Sequence, residues 1–210
     1  MFLNITEFKK FLKTAYKGSG LIVGVLDGNL ILTNSSRIWG VQVDGDYIPN
    51  KLKAALVELI GDLPEEGEVL NYTKDAAQAE MNLGEFDFYH MWMRAGDYAA
   101  KSPIVLKNDY EEYVLMQVHS TMEMRPLYRD LLDIISAKDL EHAVEDMPVR
   151  PSFRNGVLYW KNDTTIYWAC TSKIQDVYEN EVLPRLEFLD CFGTEIKVRR
   201  TEQLPYDEED

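Results

Sequence analysis

The sequence predicts an α+β chain of two similar halves, each an antiparallel sheet with helices packed on one face. Three observations predict it. Short β-rich runs are joined by turns too short for a parallel crossover. Between them lie amphipathic segments with one apolar face. Two of those segments, Ile48-Pro49 to Gly61 and Leu183-Pro184 to Gly193, open on a proline and close on a glycine.

In chain order, 2–5 reads as a short strand. Asn4 and Glu7 have capping-box spacing before a helix that ends at Gly18-Ser19-Gly20. Phe8, Phe11, Leu12 and Ala15 form its apolar face, and Lys9, Lys10, Lys13 and Lys17 fall opposite. Strands follow at 21–26, 29–33 and 37–43, the first two joined by a type I′ turn signal, Asp27-Gly28. Pro49 starts the next helix, whose apolar face is Leu52, Ala55, Leu56 and Leu59, and Gly61 stops it. Lys51 and Lys53 lie on this second helix. A strand is expected at 68–73, a loop or helical turn at 74–80, and a strand at 85–93.

The first half is expected to cover 1–95, a linker with Gly96 and Pro103 to cover 96–109, and the second half to cover 110–210. The second half should open with a strand at 110–119 and a helix from Arg125 or Pro126 to Glu141. Extended chain follows at 147–151, where two prolines block helix. Strands at 153–160 and 164–170, a helix at 182–193 and a strand at 195–198 complete it. Gly28, Leu30, Asn34 and Ile38 align with Gly156, Leu158, Asn162 and Ile166, so the layout repeats in order and punctuation.

The 210 residues allow one large or two small domains with a real core. A net charge of −14 repels nucleic acid unless basic residues gather on one face. The end, Tyr206 to Asp210, reads as an acidic solvated tail. Cys170 and Cys191 imply no disulfide framework and suit a reducing cytoplasm. No signal peptide or membrane-spanning run is expected, so a cytoplasmic location is.

No catalytic residue, metal ligand set or cofactor motif is identified. His90, His119 and His142 are dispersed, and no Walker loop, Rossmann fingerprint or nucleophile elbow occurs. The aromatics of 86–92, 159–160 and 167–168 have few basic neighbours, which favours core packing over base stacking.

The layout is similar to that of DNA sliding clamps. Its most similar piece is Val43 to Tyr72, "DYIPNKLKAALVELIGDLPEEGEVLNY" within it, which resembles the bacterial pattern of strand, proline, helix, acidic turn and strand. The resemblance implies helices lining a hole, with basic residues facing phosphate. By position that role falls to Lys9, Lys10, Lys13, Lys17, Lys51 and Lys53. A lysine row attracts the polyanion without reading bases. The chain departs from a working ring in charge: Arg129 and Lys138 share their helix with Asp130, Asp133, Asp139 and Glu141, and Arg185 stands against Glu187 and Asp190.

The expectation is a non-enzymatic, clamp-like accessory protein that contacts double-stranded DNA, binds a protein partner or self-associates. The alternative is an acidic protein-interaction module with no nucleic-acid role; an enzyme with an unrecognised site ranks third.

Overall fold

The computed structural model describes residues 1–75, 79–82, 86–108, 110–136 and 150–192. Its helices are α1 (Ile5–Lys17), α2 (Asn50–Ile60), α3 (Phe88–Met93) and α4 (Arg129–Asp133). Its strands are β1 (Leu21–Leu26), β2 (Asn29–Asn34), β3 (Trp39–Asp44), β4 (Glu68–Tyr72), β5 (Ala79–Glu80) and β6 (Asp97–Lys107), then β7 (Glu112–Val118), β8 (Met124–Tyr128), β9 (Ser152–Arg154), β10 (Val157–Asn162) and β11 (Thr165–Cys170). They form one antiparallel sheet in the order β5-β4-β1-β2-β3-β11-β10-β9-β6-β7-β8. The fold class is therefore α+β, as expected.

Local chemistry explains the first half. Asn4 caps α1 by accepting from the backbone N–H groups of Thr6 and Glu7 at 3.1 and 3.4 Å. The capping box is completed on one side only, because the Asn4 N–H donates to the Ile134 carbonyl and Glu7 turns to Lys10. Residues 2–5 make no long strand; Leu3 forms an isolated bridge with Ile135. Pro49 is the N-cap of α2, its carbonyl accepting from Leu52 and Lys53, and Gly61 ends the helix at φ 80°.

Two three-stranded meanders meet at the centre. The β1–β2 turn uses Asp27 and Gly28 at φ 49° and 74°, and the β9–β10 turn uses Asn155 and Gly156 at φ 50° and 78°. Both pairs have the positive φ values of a type I′ turn. The run 153–160 is thus two strands folded at Asn155-Gly156, not the single strand expected. Leu30 and Leu158 occupy matching buried positions, at 1% and 0% exposure. The equivalence of Ile38 with Ile166 fails: Thr33 pairs with Gly40 where its counterpart Lys161 pairs with Ile166, so the second loop is two residues shorter. The meanders join through their third strands, with Val41 opposite Tyr167.

Strand alternation sends alternate side chains to opposite faces. On one face Leu21, Val23, Leu30, Leu32, Val41 and Val43 pack against Phe8 and Leu12 of α1 and Leu52 and Leu56 of α2. Leu131 of α4 and Trp160 and Tyr167 of the second meander extend the same core. On the other face Ile22, Ile31, Tyr159 and Trp168 pack against Phe86 and Phe88. A side chain at Gly40 would lie 2.4 Å from the Trp168 indole nitrogen, so only glycine lets that ring lie across the neighbouring strand.

Four further expectations are corrected. Residues 88–93 are helix, not strand, although their aromatics favour β structure. The Asp87 carboxylate caps the start by accepting from the His90 N–H at 3.0 Å. The stretch 96–109 carries β6, paired with β9 through Asp97 and Tyr98 and with β7 beyond. Its Pro103 sits where the register shifts between Lys101 and Val105, a place a sheet tolerates proline. The helix expected from Arg125 begins only at Arg129, because 124–128 form the edge strand β8, with Pro126 opposite Leu115. Its expected continuation, with Lys138, Asp139 and Glu141, lies outside the described residues, as does His142.

Last, 182–193 is no regular helix. Tyr178–Val182 is a π-helical turn and Leu183–Leu186 a 3-10 turn. The chain beyond is held by Gln117, fully buried, whose amide donates to the Leu189 carbonyl at 2.6 Å and accepts from the Cys191 N–H at 2.8 Å. Leu183 docks there on Leu115 and Met124. Gly193, the expected strand at 195–198 and the acidic tail lie outside the described residues. So do parts of the expected 74–80 loop, whose end is β5 against β4.

Candidate nucleic-acid interface

The lysine face begins with the burial of its opposite side. Phe8, Leu12 and Ala15 of α1 and Leu52, Ala55 and Leu56 of α2 point into the core. The outward sides of both helices are then set by their periodicity. Lys10, Lys13, Lys17, Lys51 and Lys53 are exposed and Lys9 is half-buried. The two helices pack side by side, so the six lysines share one helix layer.

Two glutamates dilute this layer. Glu7 pairs with Lys10 at 2.6 Å, and Glu58 of α2 pairs with Lys13 of α1 at 3.5 Å, tying the helices together. Both pairs are largely exposed, so they add little stability. Six lysines against two glutamates make this pair of helices basic in a chain of net charge −14.

The basic layer does not extend to α4. Arg129 donates to Glu112 at 2.7 Å and to Asp133 at 3.1 Å. Hydrogen bonds from Lys107 and Arg129 hold the Glu112 carboxyl below the usual carboxylate range, so these charges neutralise one another. Arg185 is exposed on the 3-10 turn, away from any long helix.

The sheet face opposite α1 and α2 carries a groove of about 800 Å³. Ile31, Gln42, Ile166 and Lys161 form its floor as one row across β2, β3, β11 and β10. One wall is Phe86, Asp87, Tyr89 and His90, at the start of α3. The rim holds the β1–β2 turn, Glu66 and the β10–β11 turn. Burial pushes the Asp87 carboxyl up, but hydrogen bonds from the His90 backbone and ring outweigh it and hold Asp87 below its ordinary value. As residue types Asp27, Asp44 and Asp163 suggest turns; Asp27 and Asp163 do lie in turns, while Asp44 is the last residue of β3. Their convergence on one groove has no signal along the chain.

His90 pairs with Asp87 at 2.5 Å, and His119 stacks on Tyr98 with ring centroids 4.3 Å apart. Burial pushes both thiols, Cys170 and Cys191, above their ordinary values, away from reactivity. Among the described residues no group of three His, Cys, Asp or Glu side chains is placed to hold a metal ion. No helix among them is long and apolar enough to cross a membrane. The expected core role of the aromatics holds for Phe86, Phe88, Tyr159, Trp160, Tyr167 and Trp168, all buried.

The described residues thus form an antiparallel sheet with a helix pair packed on one face. Among solved structures the chain is similar to bacterial sliding clamps. The DNA polymerase III beta subunit of Thermotoga maritima is 12% identical, with 84% of this chain and 66% of the clamp covered and a TM-score of 0.31. The sliding clamp of Bacillus subtilis is 7% identical over 84% of this chain and 66% of its own, with a TM-score of 0.35. The Helicobacter pylori beta clamp, in a structure bound to a DNA ligase peptide, is 10% identical over 85% and 68%, with a TM-score of 0.33. The chain thus spans about two thirds of the length of these clamps. At these identities the likeness is one of layout. No family model matches the sequence, and no curated protein does.

Proposed function

We propose that this chain is a non-enzymatic, clamp-like accessory protein whose α1–α2 layer rests against the phosphates of double-stranded DNA. The observation that carries the reading is the segregation of charge. Six lysines stand on one helix layer of a chain whose net charge is −14. Such a layer attracts the backbone without sequence preference, and the acidic remainder of the surface favours one orientation. The neutralised α4 supports contact on one side of the duplex over encirclement by this chain's helices. The reading takes the protein as cytoplasmic, which its two free thiols support.

The test is titration of a labelled duplex at low salt. Binding should weaken steeply with salt, by a log–log slope of about −0.9 for each phosphate contacted. Changing Lys9, Lys10, Lys13 and Lys17 together to Glu should abolish it. Absence of binding by the unmodified chain at low salt would sink the DNA part of the reading. The acidic groove favours a second reading, a module that binds a basic protein partner.

A further inference from the structure

We propose that the groove on the sheet face opposite α1 and α2 is a docking site for an arginine-rich extended segment of a partner protein. This inference stands independently of DNA contact, because it rests on the other face of the sheet.

Three observations carry it. First, the groove is built across the seam of the two meanders. Its floor row runs from Ile31 through Gln42 to Ile166 and Lys161, so both halves contribute. Its volume of about 800 Å³ fits several side chains of an extended peptide. Second, five acidic residues from five separate segments line it: Asp27, Asp44, Glu66, Asp87 and Asp163. Against them stand only Lys161 and His90 among the lining residues, and His90 is engaged with Asp87. The charge complement of such a rim is a row of cations.

Third, Lys161 of the groove floor already rests on an aromatic ring of α3 beside the groove. The Lys161 ammonium lies 4.9 Å from the centroid of the Trp92 ring and donates to the Asn162 carbonyl at 3.2 Å. Its seat, an aromatic face beside a backbone oxygen, is the seat a ligand cation prefers. Tyr89, 45% exposed on the same wall, offers a second aromatic face. Arginine is favoured over lysine because its planar group stacks on such rings while bonding two carboxylate oxygens. The floor isoleucines are 2% and 4% exposed, so they offer little apolar surface and the recognition is polar.

The test uses the full chain and three synthetic peptides of equal length: oligo-arginine, oligo-lysine and oligo-glutamate. Binding is read by fluorescence anisotropy at low salt and by amide NMR shifts. Oligo-arginine should bind more tightly than oligo-lysine, and oligo-glutamate not at all. Shifts should centre on Gln42, Tyr89 and Ile166. The triple variant Asp44→Asn, Glu66→Gln, Asp163→Asn keeps the side-chain acceptors at these positions. It should fold with an unchanged melting profile and bind oligo-arginine about tenfold more weakly, the scale of three partly exposed charge pairs. The control Glu179→Gln, Glu181→Gln removes charge elsewhere and should leave binding within twofold.

Equal losses in the triple variant and the control would overturn the proposal in favour of diffuse attraction. Shifts outside the groove, or no oligo-arginine binding, would overturn it too. Self-association of the chain that the triple variant abolishes would replace the partner with a second copy, its lysine layer seated in the groove.

Discussion

The Tyr167 hydroxyl donates to the Leu131 carbonyl across 2.7 Å inside the core. Tyr167 is fully buried on β11, and Leu131 lies in α4. The bond fastens the short helix of the second half to the central seam of the sheet, where Tyr167 stands opposite Val41. Tyr167→Phe leaves that carbonyl without its donor while keeping the ring. The expected loss is about 1–2 kcal/mol, the scale of an orphaned buried acceptor. Urea unfolding should show a lower midpoint with an unchanged slope.

The same residue sets the alkaline limit of the fold. Burial pushes the Tyr167 phenol well above its ordinary value, and burial, with a hydrogen bond to Glu111, pushes Tyr113 up to about 12. In the unfolded chain both ionise near 10. Below that pH the two states bind the same protons and the contribution is fully present. Above it the unfolded state loses protons that the folded state keeps, so stability falls as pH rises towards the folded values. Urea midpoints measured from pH 9 to 11.5 should therefore drop, and ultraviolet titration should show phenols that ionise only on unfolding. The drop should be shallower in Tyr167→Phe.

Gln117 should act as a clip for the chain's last described segment. Replacing it with Leu removes the donor to Leu189 and the acceptor for Cys191, and also the 3.1 Å bond to the Met122 carbonyl. Limited proteolysis should then cut after Arg185 much sooner than in the unmodified chain. The sheet around Val41 and Tyr167 should keep its hydrogen-exchange protection.

The cap of α1 is separable from its charge. Asn4→Ala should cost about 1 kcal/mol, because two helix N–H groups lose their acceptor. Asn4→Asp should cost little, since the carboxylate still accepts there and suits the helix dipole. Thermal melts of the three proteins order these effects.

Charge reversal on the lysine layer should spare the fold. Lys10, Lys13 and Lys17 are exposed and Lys9 is half-buried, and surface changes of this kind stay within about 0.5 kcal/mol each. The variant that tests DNA contact should therefore melt close to the unmodified chain. A large destabilisation would show instead that the Lys13–Glu58 link matters to helix packing.

Elements governed by contiguous residues were legible in the chain. The Asn4 cap, the Asp27-Gly28 turn, the Pro49 start and Gly61 stop, and the apolar faces of α1 and α2 follow from local chemistry, and each sits where that chemistry puts it. The side of α1 that carries Lys10, Lys13 and Lys17 was legible as exposed for the same reason. Misreadings arose where partners far along the chain decide. Phe88–Met93 reads as strand by composition, but its Asp87 cap and the burial of Phe88 against Trp168 make it helix. Pro103 and Gly96 read as a linker, yet β7 and β9 recruit the stretch between them and beyond as β6. Pro184 reads as a helix start, yet Gln117 draws the following chain into an irregular path.

The sequence by itself determined the α+β class, the first meander and the buried faces of α1 and α2, because period and turn chemistry act within a few residues. Only the tertiary structure decided which strands meet. The pairing of β3 with β11 joins residues such as Val41 and Tyr167, and no local preference encodes that distance. The floor of the acidic groove crosses this seam, and α3 supplies its wall. Asp27 and Asp163 sit in turns, Asp44 ends β3, Asp87 caps α3 and Glu66 bridges to Val25, so their meeting on one groove has no local cause.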